Sequence, residues 1–114
     1  MPLFCARLLV VVLVEGRKPR KRNTCDYPFV IVKARDNSSA FKRALKLGQA
    51  QEHRYQNDKG QWVRWAFVRV EHIWRLEEPI EGKEVGSMMD VLESDAPLSF
   101  ESSFNPGSSE PTYS

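Results

Sequence analysis

With 114 residues, 41% of them hydrophobic and 28% charged, the chain has room for one modest core and none for a second domain, and its composition excludes wholesale disorder. The net charge of +2 hides a division. After Gly82, Lys83 stands against Glu84, Asp90, Glu93, Asp95, Glu101 and Glu110, a net of −5 that leaves +7 for the first 82 residues. A basic body with an acidic tail suits an anionic partner, a tail that shields the body, or two separately solvated surfaces.

The apolar run LLVVVLV at 8–14 is shorter than the roughly 20 residues a membrane span needs. As a secretory signal it lacks both flanks: a lone Arg7 precedes it, and Glu15 with Gly16 stands where small cleavage-site residues belong. It reads as part of a first strand over 3–15. Both alternating sets, Phe4, Ala6, Leu8, Val10, Val12, Val14 and Leu3, Cys5, Arg7, Leu9, Val11, Leu13, are largely apolar, the mark of a central strand.

A polar loop at 16–23 follows, holding RKPRKR, five cations in six residues. Arg17, Lys18, Arg20, Lys21 and Arg22 are the candidate nucleic-acid-binding residues, since each phosphate contact releases counterions. A solvated loop explains the run as well, because no aromatic stacking platform interleaves with the cations.

A second strand spans 25–34, and Pro28, with no N–H for a ladder, places it at an edge. In a hairpin of these two strands Cys25 falls opposite Val14, about nine residues or roughly 30 Å along the strand from Cys5. A disulfide needs Cα atoms within about 7 Å, so both read as free thiols in a reducing cytoplasm.

The polar residues 36–39 offer N-caps for a helix over 39–55. Ala40, Phe41, Ala44, Leu45, Leu47, Gly48 and Tyr55 fall on one side of it, Lys42, Arg43, Lys46 and Gln49 opposite. After a turn at 57–60, a third strand covers 61–76, its second alternating set turning polar beyond Phe67, which predicts a wet face or a bulge. Residues 80–92 hold enough apolar side chains for a short fourth element. From 93 onward Ser, Pro, Gly and Glu predict a disordered tail.

These elements assemble into an α+β domain over 1–92 with ββαβ order: a three-stranded, mainly antiparallel sheet in the order 2-1-3, one helix on one face. The crossover rule makes strands two and three parallel, on opposite sides of strand one. The helix leaves the other face open. Leu9, Val11 and Leu13 there would each forfeit about 1.5–3 kcal/mol if exposed, so a second subunit or the 80–92 segment is expected to cover them.

His53 and His72 sit in no metal-ligand spacing, and no nucleophile, phosphate-loop or dinucleotide motif is present. The expectation is a non-enzyme without cofactor or metal. Glu52, Tyr55, Asn57 and Arg64 form a candidate ligand pocket at the helix-to-strand junction, or a structural lock. Trp62, Arg64, Trp65 and Phe67 suit either a planar ligand or a core.

The stretch 40–48, then Glu52-His53-Arg54-Tyr55-Gln56-Asn57, Gly60, Val63-Arg64-Trp65-Ala66-Phe67-Val68 and Glu81-Gly82-Lys83-Glu84-Val85 resembles the bacterial domain-of-unknown-function family 4288 over about residues 3 to 88. The resemblance implies that Glu52, Tyr55, Asn57, Trp65, Phe67 and Glu84 belong to a family signature. Arg69, where Gly is expected, and the basic loop depart from it.

Three functional expectations result. The first is a cytoplasmic interaction domain forming a homodimer, or binding another protein, through the open face of Leu9, Val11 and Leu13. The second is nucleic-acid binding by the basic loop, and the third is a small-ligand pocket. None involves a membrane.

Overall fold

The unbroken aliphatic run becomes β1 (Leu3–Val14), and the rest of the sheet is organised around it. The computed structural model describes residues 1–76 and 89–114. The other strands are β2 (Arg20–Asp26), β3 (Phe29–Lys33), β4 (His53–Gln56), β5 (Trp62–Leu76), β6 (Met89–Leu98) and β7 (Thr112–Tyr113), with one helix, α1 (Asn37–Ala50). β5 runs antiparallel along the whole of β1, from Leu3↔Leu76 to Val14↔Val63. The opposite edge of β1 is shared by β3, which takes Leu3 to Arg7, and β2, which takes Val10 and Val11.

The class is therefore α+β with one helix, but the three-stranded sheet is overturned. Among the described residues there are seven strands, in the order β4-β5-β1-β2-β6 with β3 also on β1 and β7 also on β5. All pairings are antiparallel except β5 with β7. Three local causes account for the difference.

First, the expected second strand is two strands. Pro28 cannot donate to the ladder, and its carbonyl instead accepts from the Leu8 N–H at 2.9 Å. The chain breaks there, so β3 stays on β1 while β2 leaves it to pair with β6 from Asp26↔Met89 to Arg20↔Leu98.

Second, α1 stops at Ala50 rather than Tyr55. The next residues are claimed by a hairpin whose turn is built by Asn57: its Oδ1 accepts from the N–H groups of Lys59 and Gln61, each at 3.0 Å. Gly60, at φ +77°, supplies the left-handed residue. The start of the helix is set as expected, with the Asp36 carboxylate accepting from the Ser39 N–H at 2.8 Å. That hydrogen bond holds the Asp36 carboxyl below its ordinary range.

Third, the segment expected to be a disordered tail carries β6, a 3-10 turn at Pro106–Ser108 and β7. β6 runs across the domain boundary expected at residue 92. The rest of the expected fourth element lies outside the described residues.

Two bulges divide the β1–β5 ladder. The pairs Val10↔Phe67 and Leu9↔Arg69 skip Val68, and Leu8↔Val70 and Arg7↔His72 skip Glu71, so the polar shift after Phe67 is re-aimed by bulges. On the helix side Phe4, Ala6, Leu8, Val32, Phe67, Val70 and Ile73 pack with Ala40 and Ala44 of α1. On the other side Val11, Leu13 and Ala66 pack with Val68, Leu92, Leu98 and Phe104.

Cys25 pairs with Val11, not Val14, which puts it six residues, about 20 Å, from Cys5 along β1. Both thiols are free and buried. Burial raises the pKa of each, which keeps them protonated and unreactive.

Candidate functional site

Leu9, Val11 and Leu13 are 0%, 0% and 2% exposed, so of the two expected covers, a second subunit or the 80–92 segment, the chain itself closes this face. The cover for Val11 and Leu13 is Leu92, Leu98 and Phe104. Among the described residues, the sheet is left uncovered on the helix side instead, beyond the end of α1.

Register defines that surface. Val12 pairs with Trp65 and Trp65 with His53, while Val14 pairs with Val63 and Val63 with Tyr55. Directly opposed residues share a face, so His53, Tyr55, Trp65, Val12 and Val14 form two adjacent rows. Val12, Val14 and Trp65 are half-buried, and Tyr55 is 44% exposed. His53 stacks on Trp65 with ring centres 5.2 Å apart and on Tyr55 at 6.0 Å. Asp26 lies opposite Val10 and Met89 opposite Asp26, with Val91 two residues on. Met89 and Val91 therefore point to the same side, 51% and 47% exposed.

The basic stretch is not one loop. Arg17 and Lys18 lie in the turn, whereas Arg20, Lys21 and Arg22 belong to β2, and all five are exposed. β2 is laid against acidic β6, and Arg22 Nη1 meets Glu93 Oε1 at 2.7 Å. That pair is solvated and worth about 0–1 kcal/mol. Part of the charge division seen in the sequence is thus closed within the molecule.

The expected pocket of Glu52, Tyr55, Asn57 and Arg64 is brought together only in part. Asn57 is occupied by its turn. Tyr55 points to the helix side with Val63, while Arg64, paired with Arg54, points to the other. Arg64 Nη1 donates to the carbonyls of Phe100, at 3.1 Å, and Ser102. Glu52 and Arg64 do border one cleft of about 300 Å³, with His53, Arg54 and Trp65. A second cleft of about 260 Å³ is bordered by Glu15, Arg54, Trp62 and Phe100.

Arg54 and Phe100 are the site residues that the sequence reading missed. Arg54 was assigned to a helix, which concealed its pairing with Arg64, and Phe100 stood in the supposed tail. His72 holds β7: its ring nitrogens hydrogen-bond to the hydroxyls of Thr112 and Ser114. Among the described residues, no three His, Cys, Asp or Glu side chains gather as metal ligands. No helix among them is long and apolar enough to cross a membrane.

Comparison with known proteins is narrow in its result. No curated protein and no solved structure matches the chain. The model of one protein family, described as Domain of unknown function (DUF4288), matches residues 3–87. That span takes in β1 to β5 and α1. Its part at 81–85, where the resemblance also rested, lies outside the described residues. Covering well over half of the sequence, the match shows that the chain belongs to the DUF4288 family.

Proposed function

We propose that this chain is a non-enzymatic protein-interaction domain that self-associates through the helix side of its sheet, beyond the end of α1. The observation that carries the reading is the pair of rows built by Val12, Val14, Tyr55 and Trp65, flanked on the same side by Met89 and Val91. Exposed apolar side chains gathered on one face in this way are characteristic of interaction sites. A second copy brings the same apolar rows, which suits the isologous contact of a two-fold dimer. The two buried free thiols support a reducing compartment, the cytoplasm.

Sedimentation velocity tests it. The wild-type chain is expected to dimerise in the micromolar range, and the double variant Tyr55→Lys, Val91→Lys to sediment as a monomer. Both side chains are exposed in the single chain, so thermal stability of the isolated chain should stay within about 0.5 kcal/mol. A wild-type chain that remains monomeric at hundreds of micromolar removes this reading.

A second reading is favoured by the exposure of Arg17, Lys18, Arg20, Lys21 and Arg22, of which only Arg22 has an acidic partner among the described residues. It is nucleic-acid binding by the β1–β2 turn and the start of β2. Retention on immobilised DNA should then fall steeply with salt and disappear when the five are changed to Gln. Unchanged retention of that variant sinks it.

A further inference from the structure

The hairpin of β4 and β5 sets two arginines directly opposite each other, Arg54↔Arg64. Opposed residues of an antiparallel pair share one face with Cβ atoms about 4.5–5.5 Å apart, and like charges there destabilise the pair. Neither guanidinium has an acidic partner among the described residues. An arrangement that costs stability, and that the rest of the described chain does not neutralise, suits an anion from outside.

The two side chains are differently prepared for one. Arg64 is anchored by Nη1 on the Phe100 and Ser102 carbonyls, which fixes its planar fork while Nε and Nη2 make no hydrogen bond to a described residue. Arg54 lies over the Phe100 ring, 5.4 Å from its centre, so one face of its guanidinium is supported while its donors make no hydrogen bond to a described residue. Both line the 300 Å³ cleft, and Arg54 also lines the 260 Å³ one. Each volume is near the lower end of the about 300–1,000 Å³ typical of small-ligand sites.

The walls of these clefts define the rest of the ligand. Trp62, 42% exposed, shares the face of Arg64 two residues along β5 and borders one of them together with Phe100. Flat rings of this kind accept a planar heterocycle by stacking. Glu15 and Glu52 stand in the linings as acceptors for hydroxyl or amino groups. Two guanidinium forks match a phosphate dianion better than a single carboxylate. The two carboxylates repel a continuous polyanion, which favours a small ligand over a nucleic-acid strand.

We propose that the Arg54–Arg64 pair and the clefts on either side of it bind a small phosphate ester of a planar ring, of the nucleoside monophosphate class. The phosphate sits between the guanidinium groups, the ring lies against Trp62, and the sugar hydroxyls donate to Glu15 or Glu52.

The test titrates the full chain with AMP, ribose 5-phosphate and inorganic phosphate, followed by tryptophan fluorescence and calorimetry. Saturable binding is expected in the order AMP, ribose 5-phosphate, phosphate. Arg54→Gln should weaken AMP by about tenfold or more with the thermal midpoint kept, since it also relieves the like-charge pair. Trp62→Leu should narrow the preference for AMP over ribose 5-phosphate and leave phosphate affinity in place. The proposal is overturned by no saturable response to any of the three at millimolar concentration, or by AMP binding that Arg54→Gln does not change. A short oligonucleotide that binds where AMP does not also overturns it.

Discussion

Gly48→Ala is expected to destabilise the chain by about 0.5–2 kcal/mol, and Gly48→Leu by about 3 kcal/mol or more, although both residues form helix better than glycine. A Cβ placed on Gly48 would lie 2.2, 2.3 and 2.5 Å from three atoms of the Phe67 ring. Contacts that short cannot exist, so either the ring or the helix must move. The ring is poorly placed to do so: Phe67 is 2% exposed and sits in the cluster with Phe4, Leu8, Ala44 and Val70. Overpacking a core of this kind costs about 1–3 kcal/mol, against which the alanine gains about 0.8–1.0 kcal/mol of helix propensity. The net effect is a loss.

The same contact predicts a coupling that separates packing from propensity. Phe67→Leu shortens the side chain that meets the new methyl group, so Gly48→Ala should cost little, or become favourable, in that background. Urea unfolding at one fixed protein concentration measures the cycle, and a coupling of about 1 kcal/mol or more is expected between residues in contact. Strict additivity would show that the helix does not approach β5 at Gly48.

That close approach was partly legible in the sequence. The small residues Ala40, Ala44 and Gly48 recur at helical spacing, and the central place of β1 could be read from two apolar alternating sets. What could not be read was where local signals compete. Tyr55 continues the helical spacing of Phe41, Ala44 and Gly48, but β4 is only four residues long, too short for its own alternation to show. The Asn57 turn decides for the hairpin, and that decision sends Tyr55 and Arg64 to opposite faces. Pro28 points to an edge position, and β3 pairs with β1 alone among the described residues, but Pro28 also breaks one expected strand into two.

β6 was hidden by its composition. MDVLESDAPL has the charge and the proline of a disordered segment, yet those are also the features that protect an exposed edge strand from pairing further. Its half-buried residues Leu92, Ser94 and Leu98 are spaced by even numbers, as a strand with one covered face requires. The difference matters for function, because Leu9, Val11 and Leu13 are expected to be covered by a second subunit or the 80–92 segment, whereas Leu92, Leu98 and Phe104 of the same chain pack on that face.

The largest stability effect on this face is expected from Leu92→Asp with Leu98→Asp. Both leucines pack on Val11, Leu13 and Ala66, and a carboxylate there must either stay ionised against an apolar surface or leave it. Backbone pairing joins the β2–β6 ladder to β1 at only Val10 and Val11, so leaving is the cheaper route. The ribbon would detach and expose Val11 and Leu13 at about 1.5–3 kcal/mol each, a large part of a domain's total of about 5–15 kcal/mol. The expected outcome is a lower urea midpoint, binding of a hydrophobic dye and association that grows with protein concentration. Met89→Asp is the control: on the same strand but 51% exposed, it should leave the midpoint in place for the isolated chain. If the double variant keeps wild-type stability and binds no dye, β6 does not cover this face. In that event Leu9, Val11 and Leu13 would regain their claim as the surface through which the domain associates.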